Sequence, residues 1–458
     1  MIRKLKIGIV HNLRYLKQPG SFGQNLLIRS LGSTSAYLIG FLLSPILARI
    51  YLPEAYGQFA VFNALIASLS VLSTLNFNNA FVLPKTGKHF VPLVQLTLMV
   101  LVLVTFLMVA GLIFFGDAVL EVFNIQDLGN LIYLLPLFTF LTGISRCLDY
   151  WNVRVKEYRK GATSKVASVI SAKVSTIILG IISRGDITGF IIGDLISRPI
   201  QVLTLLSKSI RNDWYRLTQV SWPRIRWTAR EYRDYPLYNM PAEGLTVLVA
   251  QLPVYLLSFY YNAEATGYFS LAFSITAAPI QVLGLSVASV YYQQAAEAHG
   301  QDPAKMITMT CKLFNKLILL GAIPFGVLIV FGDKVFVAIF GANWETAGVF
   351  GSYLAFMAFT NFISVSFTSL FRVLRREKLQ FYINLAGSVL LCLGLLIALN
   401  SGDEHYLVLA FGFVSSVVNL FALGIAFRLA GIGPIKLLAK MIAIISLVIL
   451  VLYFIQTL

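Results

Sequence analysis

The sequence predicts an all-α polytopic membrane protein: two pseudo-symmetric six-helix lobes plus one extra C-terminal helix, about 13 transmembrane helices in all. Three observations carry that prediction. Of 458 residues, 58% are hydrophobic and only 12% charged, against roughly 25% charged in a typical soluble domain. Apolar stretches of about 20 residues, enough for a helix to cross a bilayer core, recur from end to end. A short motif also returns six stretches later on the same side.

Taken in order, the apolar stretches lie near residues 26–50, 57–83, 91–115, 130–150, 163–183 and 187–207, and then 237–260, 265–293, 308–332, 346–374, 380–399 and 405–429, with a last one at 436–457. Residues 1–25 read as a retained, basic, surface-lying cytoplasmic segment, because the apolar run in them is shorter than that of a signal peptide. Alternate loops are basic: Lys85 and Lys88, then Arg154 to Lys160, then Lys208 to Arg233, then Arg375 to Lys378. By the positive-inside rule these face the cytoplasm. The opposite loops carry Glu54, Asp117, Glu121, Asp127, Glu264, Asp403 and Glu404. An odd number of crossings then places the C-terminus outside.

The repeated motif is Glu-Ala-x-Gly-x-Phe, at Glu54–Phe59 and again at Glu264–Phe269. Six helices apart, the copies face the same side, so the repeat is parallel, with a pseudo-twofold axis along the membrane normal. The domain organisation follows: an N-terminal lobe over 26–207, a basic cytoplasmic linker over 208–236, a C-terminal lobe over 237–429 and an additional helix in 430–458.

Composition also excludes functions. The 36 Lys and Arg outnumber 20 Asp and Glu by 16, but among so many apolar stretches this charge belongs at a membrane surface rather than on nucleic acid. In the linker, Trp beside Arg is the commoner interfacial pattern. Cys147, Cys311 and Cys392 are too scattered for a disulfide framework or a metal site. The four histidines form no HExxH, no P-loop is present, and the outward loops are too short to hold an enzyme's catalytic groups. No catalytic residue, metal or cofactor is assigned, which leaves transport passive, driven by product removal, or coupled to H⁺ or Na⁺.

Ionisable residues deep in a span cost several kcal/mol unless they face a wet cavity or a partner. Lys173 lies roughly 15 Å into the fifth span, and Asp194 and Arg198 roughly 10 and 16 Å into the sixth. Asp194 and Arg198, four residues apart, share a helix face and can pair, either as a purely internal salt bridge or as part of a site. Lys173 is left unpaired, and an unpaired buried cation favours an anionic visitor such as a phosphate. Ser164, Ser168, Ser171 and Ser175 form a stripe opposite Lys173 and are assigned to helix packing. Arg29 and Arg49 lie near the two ends of the first span, where snorkelling explains them. Glu243, with no charged partner within a turn of its own helix, and Asp194 are the ion-coupling candidates. Gln251 could touch substrate, and Asn76, Asn78 and Asn79 close the second span.

The run Ser44–Gly57, the stretch Ala80–Lys85, and Tyr232–Tyr238 with Leu252-Pro253 resemble the polysaccharide biosynthesis proteins. These are the lipid-linked oligosaccharide (O-antigen type) flippases of the multidrug/oligosaccharidyl-lipid/polysaccharide exporter superfamily. The resemblance implies a bacterial inner-membrane protein that moves undecaprenyl-diphosphate-linked oligosaccharide to the periplasmic leaflet for surface polysaccharide such as lipopolysaccharide. It implies that Arg49 corresponds to the family's arginine before the outer Pro-x-x-x-Gly turn, and that Lys173 and Arg198 stand in a cationic cavity; Arg29 joins Lys173, Arg198 and Arg49 as a substrate-binding candidate. Membrane lipids and polysaccharide polymerase or assembly proteins would be its partners. The family usually has twelve helices, so the span at 436–457 is extra. A multidrug or small-molecule exporter of the same superfamily is the alternative, although its cavity should be net acidic; a membrane glycan polymerase or ligase is the third reading.

Overall fold

The computed structural model describes residues 22–219 and 221–457. Most of the basic segment at 1–25 and the side chain of Arg29 lie outside the described residues. The N-terminal half contains α1 (Phe22–Ile50), α2 (Pro53–Ser73), α3 (Gly87–Val122), α4 (Leu135–Arg154), α5 (Tyr158–Ile182) and α6 (Ile187–Leu205). Two short helices, α7 (Lys208–Thr218) and α8 (Trp222–Glu231), form the linker. The C-terminal half contains α9 (Met240–Tyr260), α10 (Ala263–Pro279), α11 (Leu285–Gln301), α12 (Pro303–Phe340), α13 (Glu345–Phe367), α14 (Ser369–Val373), α15 (Glu377–Leu399), α16 (Glu404–Leu429) and α17 (Pro434–Thr457).

Among the described residues, twelve helices are long and apolar enough to cross a membrane, with α10 and α11 counted as one through the π-turn Ile280–Gly284, and α17 among them. Thirteen apolar stretches were expected, and the difference is α6. Its 19 residues include Asp194, Arg198, Pro199 and Gln201, which dilute its apolar character. It is nevertheless a continuous helix folded antiparallel on α5. The Ser164 hydroxyl donates to the Gln201 carbonyl at 3.0 Å and the Ser175 hydroxyl to the Gly193 carbonyl at 3.1 Å. Ser168 and Ser171 donate to carbonyls of their own helix, so the stripe's cross-helix bonds come from its two ends.

The expected span at 57–83 is also not one helix. It ends at Ser73, Leu75 and Asn76 adopt positive φ, and the chain closes through a tight turn at Phe77–Val82. Arg154 holds that turn by donating to the Phe81 carbonyl at 3.0 Å and to the Pro84 carbonyl, with its guanidinium 4.3 Å from the Phe90 ring centre. An arginine that marks a basic loop in the sequence is thus also a staple.

The two halves meet through the repeated motif. A β-carbon at Gly57 would lie 1.6 Å from the Ala263 carbonyl oxygen, and one at Gly267 would lie 1.8 Å from the Pro53 carbonyl oxygen. Each copy of the motif therefore packs its glycine on the first turn of the other, an approach of backbone to backbone that only glycine permits. Around this seam one apolar cluster draws on both halves, including Leu47, Phe62, Phe138, Phe190, Phe269 and Trp344. The Trp344 indole donates to the Ala48 carbonyl at 2.7 Å and packs edge-on to Tyr56. The seam lies at the end of the bundle that bears the acidic loops, hereafter the acidic end.

A second cluster fills the C-terminal half around Phe314, Phe325, Phe359 and Phe367. Large apolar side chains on α3, α15 and α17, among them Phe106, Phe114, Leu393 and Leu450, are exposed. Such faces are what a hydrocarbon interior covers.

Candidate functional site

Three charged residues from the spans of the N-terminal half come together. On α6 the Arg198 guanidinium bonds the Asp194 carboxylate at 2.7 Å, as the spacing of four predicts. Arg198 also donates to the Thr142 hydroxyl of α4 at 3.3 Å and lies 5.4 Å from the centre of the Phe138 ring, while its buried Nε has no partner. Lys173, half-buried on α5, runs along α1 at Gly40, its Cε 4.0 Å from where a β-carbon would stand there. It is within the field of Asp194. Among the described residues that carboxylate forms its ion pair with Arg198, and Lys173 stands near it without a bond of its own.

Glu243 departs further from expectation. It has no charged neighbour on its own helix, yet Arg146 of α4 pairs with it and the Asn76 amide donates to it at 2.7 Å. Both partners belong to the N-terminal half, so this junction ties the halves together. Arg146 is steadied by a further bond to the Ser70 carbonyl at 3.1 Å. Asn78 and Asn79, by contrast, stitch their own turn, Thr74 donating to Asn78 at 2.6 Å and Asn78 to Asn79 at 2.9 Å.

Arg146 went unread in the sequence. The signal was available: it is a charged side chain eight residues from the end of α4, about 12 Å at 1.5 Å per residue. The Arg146 and Glu243 side chains are 26% and 30% exposed, and those of Arg198 and Asp194 18% and 17%. Charges this deep in apolar helices face a partner or a wet cavity rather than lipid. Three cations stand there against two carboxylates.

Arg49 lies elsewhere. It is exposed at the acidic end of α1 and reaches across the seam to the Ile339 carbonyl at 3.4 Å. Among the described residues, no three His, Cys, Asp or Glu are grouped to hold a metal ion. At the opposite, basic end the linker docks on α3, Gln95 donating to the Leu217 and Gln219 carbonyls at 2.9 and 3.0 Å. Burial raises the Tyr232 phenol above its ordinary value, with Glu231 and Tyr235 adding to the rise and Arg154 opposing it. Trp222 and Trp227 remain exposed, as side chains in a membrane interface would be.

A helical bundle of this kind, with its charges gathered inside the spans, belongs to the class of multi-pass membrane proteins, and solved structures share its fold. One is an inward-facing multidrug resistance MATE family transporter of the MOP superfamily, at 12% identity and a TM-score of 0.64, covering 87% of this chain and 95% of that one. Another is the lipid II flippase MurJ in an inward closed conformation, at 13% identity and a TM-score of 0.62, covering 94% and 98%. A Vibrio cholerae MATE transporter matches at 13% identity and a TM-score of 0.52, covering 89% and 95%. These neighbours are transporters, not enzymes. The chain itself belongs to the polysaccharide biosynthesis protein family, which it matches over residues 46–349. No curated protein matches it.

Proposed function

We propose that the protein is a flippase that carries undecaprenyl-diphosphate-linked oligosaccharide from the cytoplasmic to the periplasmic leaflet of a bacterial inner membrane. It works by alternating access between two six-helix lobes, for surface polysaccharide biosynthesis of the O-antigen kind. The observation that carries this reading is the half-buried cluster with an excess of positive charge, Lys173, Arg198 and Arg146 against Asp194 and Glu243. A diphosphate supplies the missing negative charge and accepts charge-assisted hydrogen bonds. Membership of a polysaccharide biosynthesis family and a fold shared with a lipid II flippase support the same substrate class. A cationic drug would meet repulsion here, which disfavours the exporter reading.

In this mechanism the head group enters from the basic, cytoplasmic end while the polyprenyl tail stays in lipid. Lys173 and Arg198 hold the phosphates, and rocking of one half on the other exposes them to the periplasm. Arg49 and Arg29 remain as further substrate-binding candidates. Asp194 holds Arg198 in place. α6 crosses the membrane as a thirteenth helix, which puts the C-terminus in the periplasm.

The test is translocation of a lipid-linked diphosphate sugar in proteoliposomes. Wild-type protein should transfer it across leaflets. Lys173→Ala should insert at near-normal abundance yet transport little, since removing a lone cation strands no partner. Normal transport by Lys173→Ala would remove the basis of the cationic-cavity reading.

A further inference from the structure

We propose that Arg146 binds the substrate's diphosphate, that it does so by giving up Glu243, and that the Arg146–Glu243–Asn76 junction is therefore a latch opened by the cargo itself. The proposal rests on the flippase reading above and adds to it the residue that links binding to movement of the halves.

The geometry begins on α4. Phe138, Thr142 and Arg146 are four residues apart and lie along one face of the helix. Arg198 packs over Phe138 and bonds Thr142, so its guanidinium occupies the same face. Arg146 is rooted one turn further toward the basic end, about 6 Å along the axis from Thr142. Two guanidinium groups thus follow one another along a single helix face, both partly exposed.

Each is paired at present with a carboxylate, Arg146 with Glu243 and Arg198 with Asp194, and for Arg198 the satisfaction is incomplete. Arg198 Nε is buried without an acceptor. A buried donor without an acceptor is costly. A diphosphate arriving along this face offers more negative charge than one carboxylate, and oxygens arranged to accept from two guanidinium groups at once. Glu243 is then a placeholder that the phosphate displaces.

Displacement has a mechanical result because of where the partners come from. Arg146 and Asn76 stand on the N-terminal half, and Glu243 on the C-terminal half. Transfer of Arg146 from Glu243 to the phosphate removes the ionic part of the link between the halves. At the acidic end the halves meet chiefly through glycine backbone and aromatic rings, which no anion competes for, with the long Arg49 contact to the Ile339 carbonyl at the exposed edge. An anionic head group therefore loosens one end of the molecule and leaves the other closed.

A merely structural ion pair and a competing placeholder predict opposite signs for one substitution. The full-length protein, purified in detergent, would be titrated with undecaprenyl diphosphate, with undecaprenol as the uncharged control. Arg146→Gln should weaken undecaprenyl diphosphate binding about tenfold or more through loss of charge-assisted hydrogen bonds. Glu243→Gln, which keeps the side chain's shape and its capacity to hydrogen-bond, should tighten it several-fold, and undecaprenol should bind all forms alike. Arg146→Lys should recover part of the affinity.

The latch itself is read by a short thiol cross-linker between Val71→Cys and Gly244→Cys, a position where a β-carbon would lie 3.9 Å from Val71 Cγ1, in a background freed of native cysteines. Undecaprenyl diphosphate should slow that cross-linking with Arg146 present and leave it unchanged in Arg146→Gln. If Glu243→Gln leaves affinity unchanged or weakens it while wild type binds, the latch is refuted and the flippase reading stands. If wild type binds no undecaprenyl diphosphate, the flippase reading falls and the latch with it. Should Arg146→Gln fail to fold, the sign of the Glu243→Gln effect decides alone.

Discussion

The contact between Gly57 and the first turn of α10 sets how tightly the acidic end closes. A β-carbon at residue 57 would stand 1.6 Å from the Ala263 carbonyl oxygen, whereas ordinary contact begins at 3.4 Å, so Gly57→Ala drives the two helices apart by about 1.8 Å. The neighbour is backbone and cannot swing away as a side chain would. Overpacking of this kind costs about 1–3 kcal/mol, which raises the ratio of parted to closed molecules about 5- to 160-fold. The reporter is Ala48→Cys in a background freed of Cys147, Cys311 and Cys392, because Ala48 is buried in the seam and its carbonyl receives the Trp344 indole. While the parted form is rare and exchange is fast, its labelling by a thiol reagent follows the parted population. Labelling of purified protein in detergent should accelerate at least fivefold in Gly57→Ala, and comparably in Gly267→Ala. Unchanged labelling of a stable Gly57→Ala protein would refute the claim that the glycines set closure.

Trp344→Phe keeps an aromatic ring in the seam but loses the bond to Ala48, and should lower stability by about 1 kcal/mol, read as a fall in Tm; an unchanged Tm would show that the bond contributes nothing. Arg198→Ala should destabilise more than Lys173→Ala because it leaves Asp194 behind, and adding Asp194→Ala should restore part of the loss, a coupling of about 0.5–3 kcal/mol in a thermal double-mutant cycle. A strictly additive cycle would dissolve the pair as an energetic unit. For topology, a C-terminal reporter active only outside the cytoplasm should be active, and activity confined to a cytoplasmic reporter would return the crossings to an even number.

What the sequence revealed of the site depended on how far apart its partners lie along the chain. Asp194 and Arg198 were readable as a pair because a helix brings residues four apart onto one face. Arg146 and Glu243 were not, being separated by 97 residues and four intervening helices, and Asn76 lies 167 residues from the carboxylate it touches. Helices were legible wherever a long apolar run sufficed. The exception was the break after Ser73, since Leu75 and Asn76 enter positive φ without a glycine or proline to announce it. The Glu-Ala-x-Gly-x-Phe repeat was visible as a pattern, but a motif does not reveal that its two copies touch each other. Arg49 was legible as a charge near a helix end, while its reach to Ile339 required the opposite half to be in place.

The polarity of α6 has a consequence for how the chain is made. Arg and Asp near a helix centre each oppose insertion by about 2.5–3.5 kcal/mol, so a segment holding both is a poor substrate for lateral release from the translocon by itself. Its charges neutralise each other one turn apart, and α5, synthesised just before it, already carries the serines that donate to its backbone carbonyls. If α6 crosses as proposed, it should enter lipid as the second arm of a hairpin, waiting in the translocon beside α5, so that the Asp194–Arg198 pair sets the pace of that step.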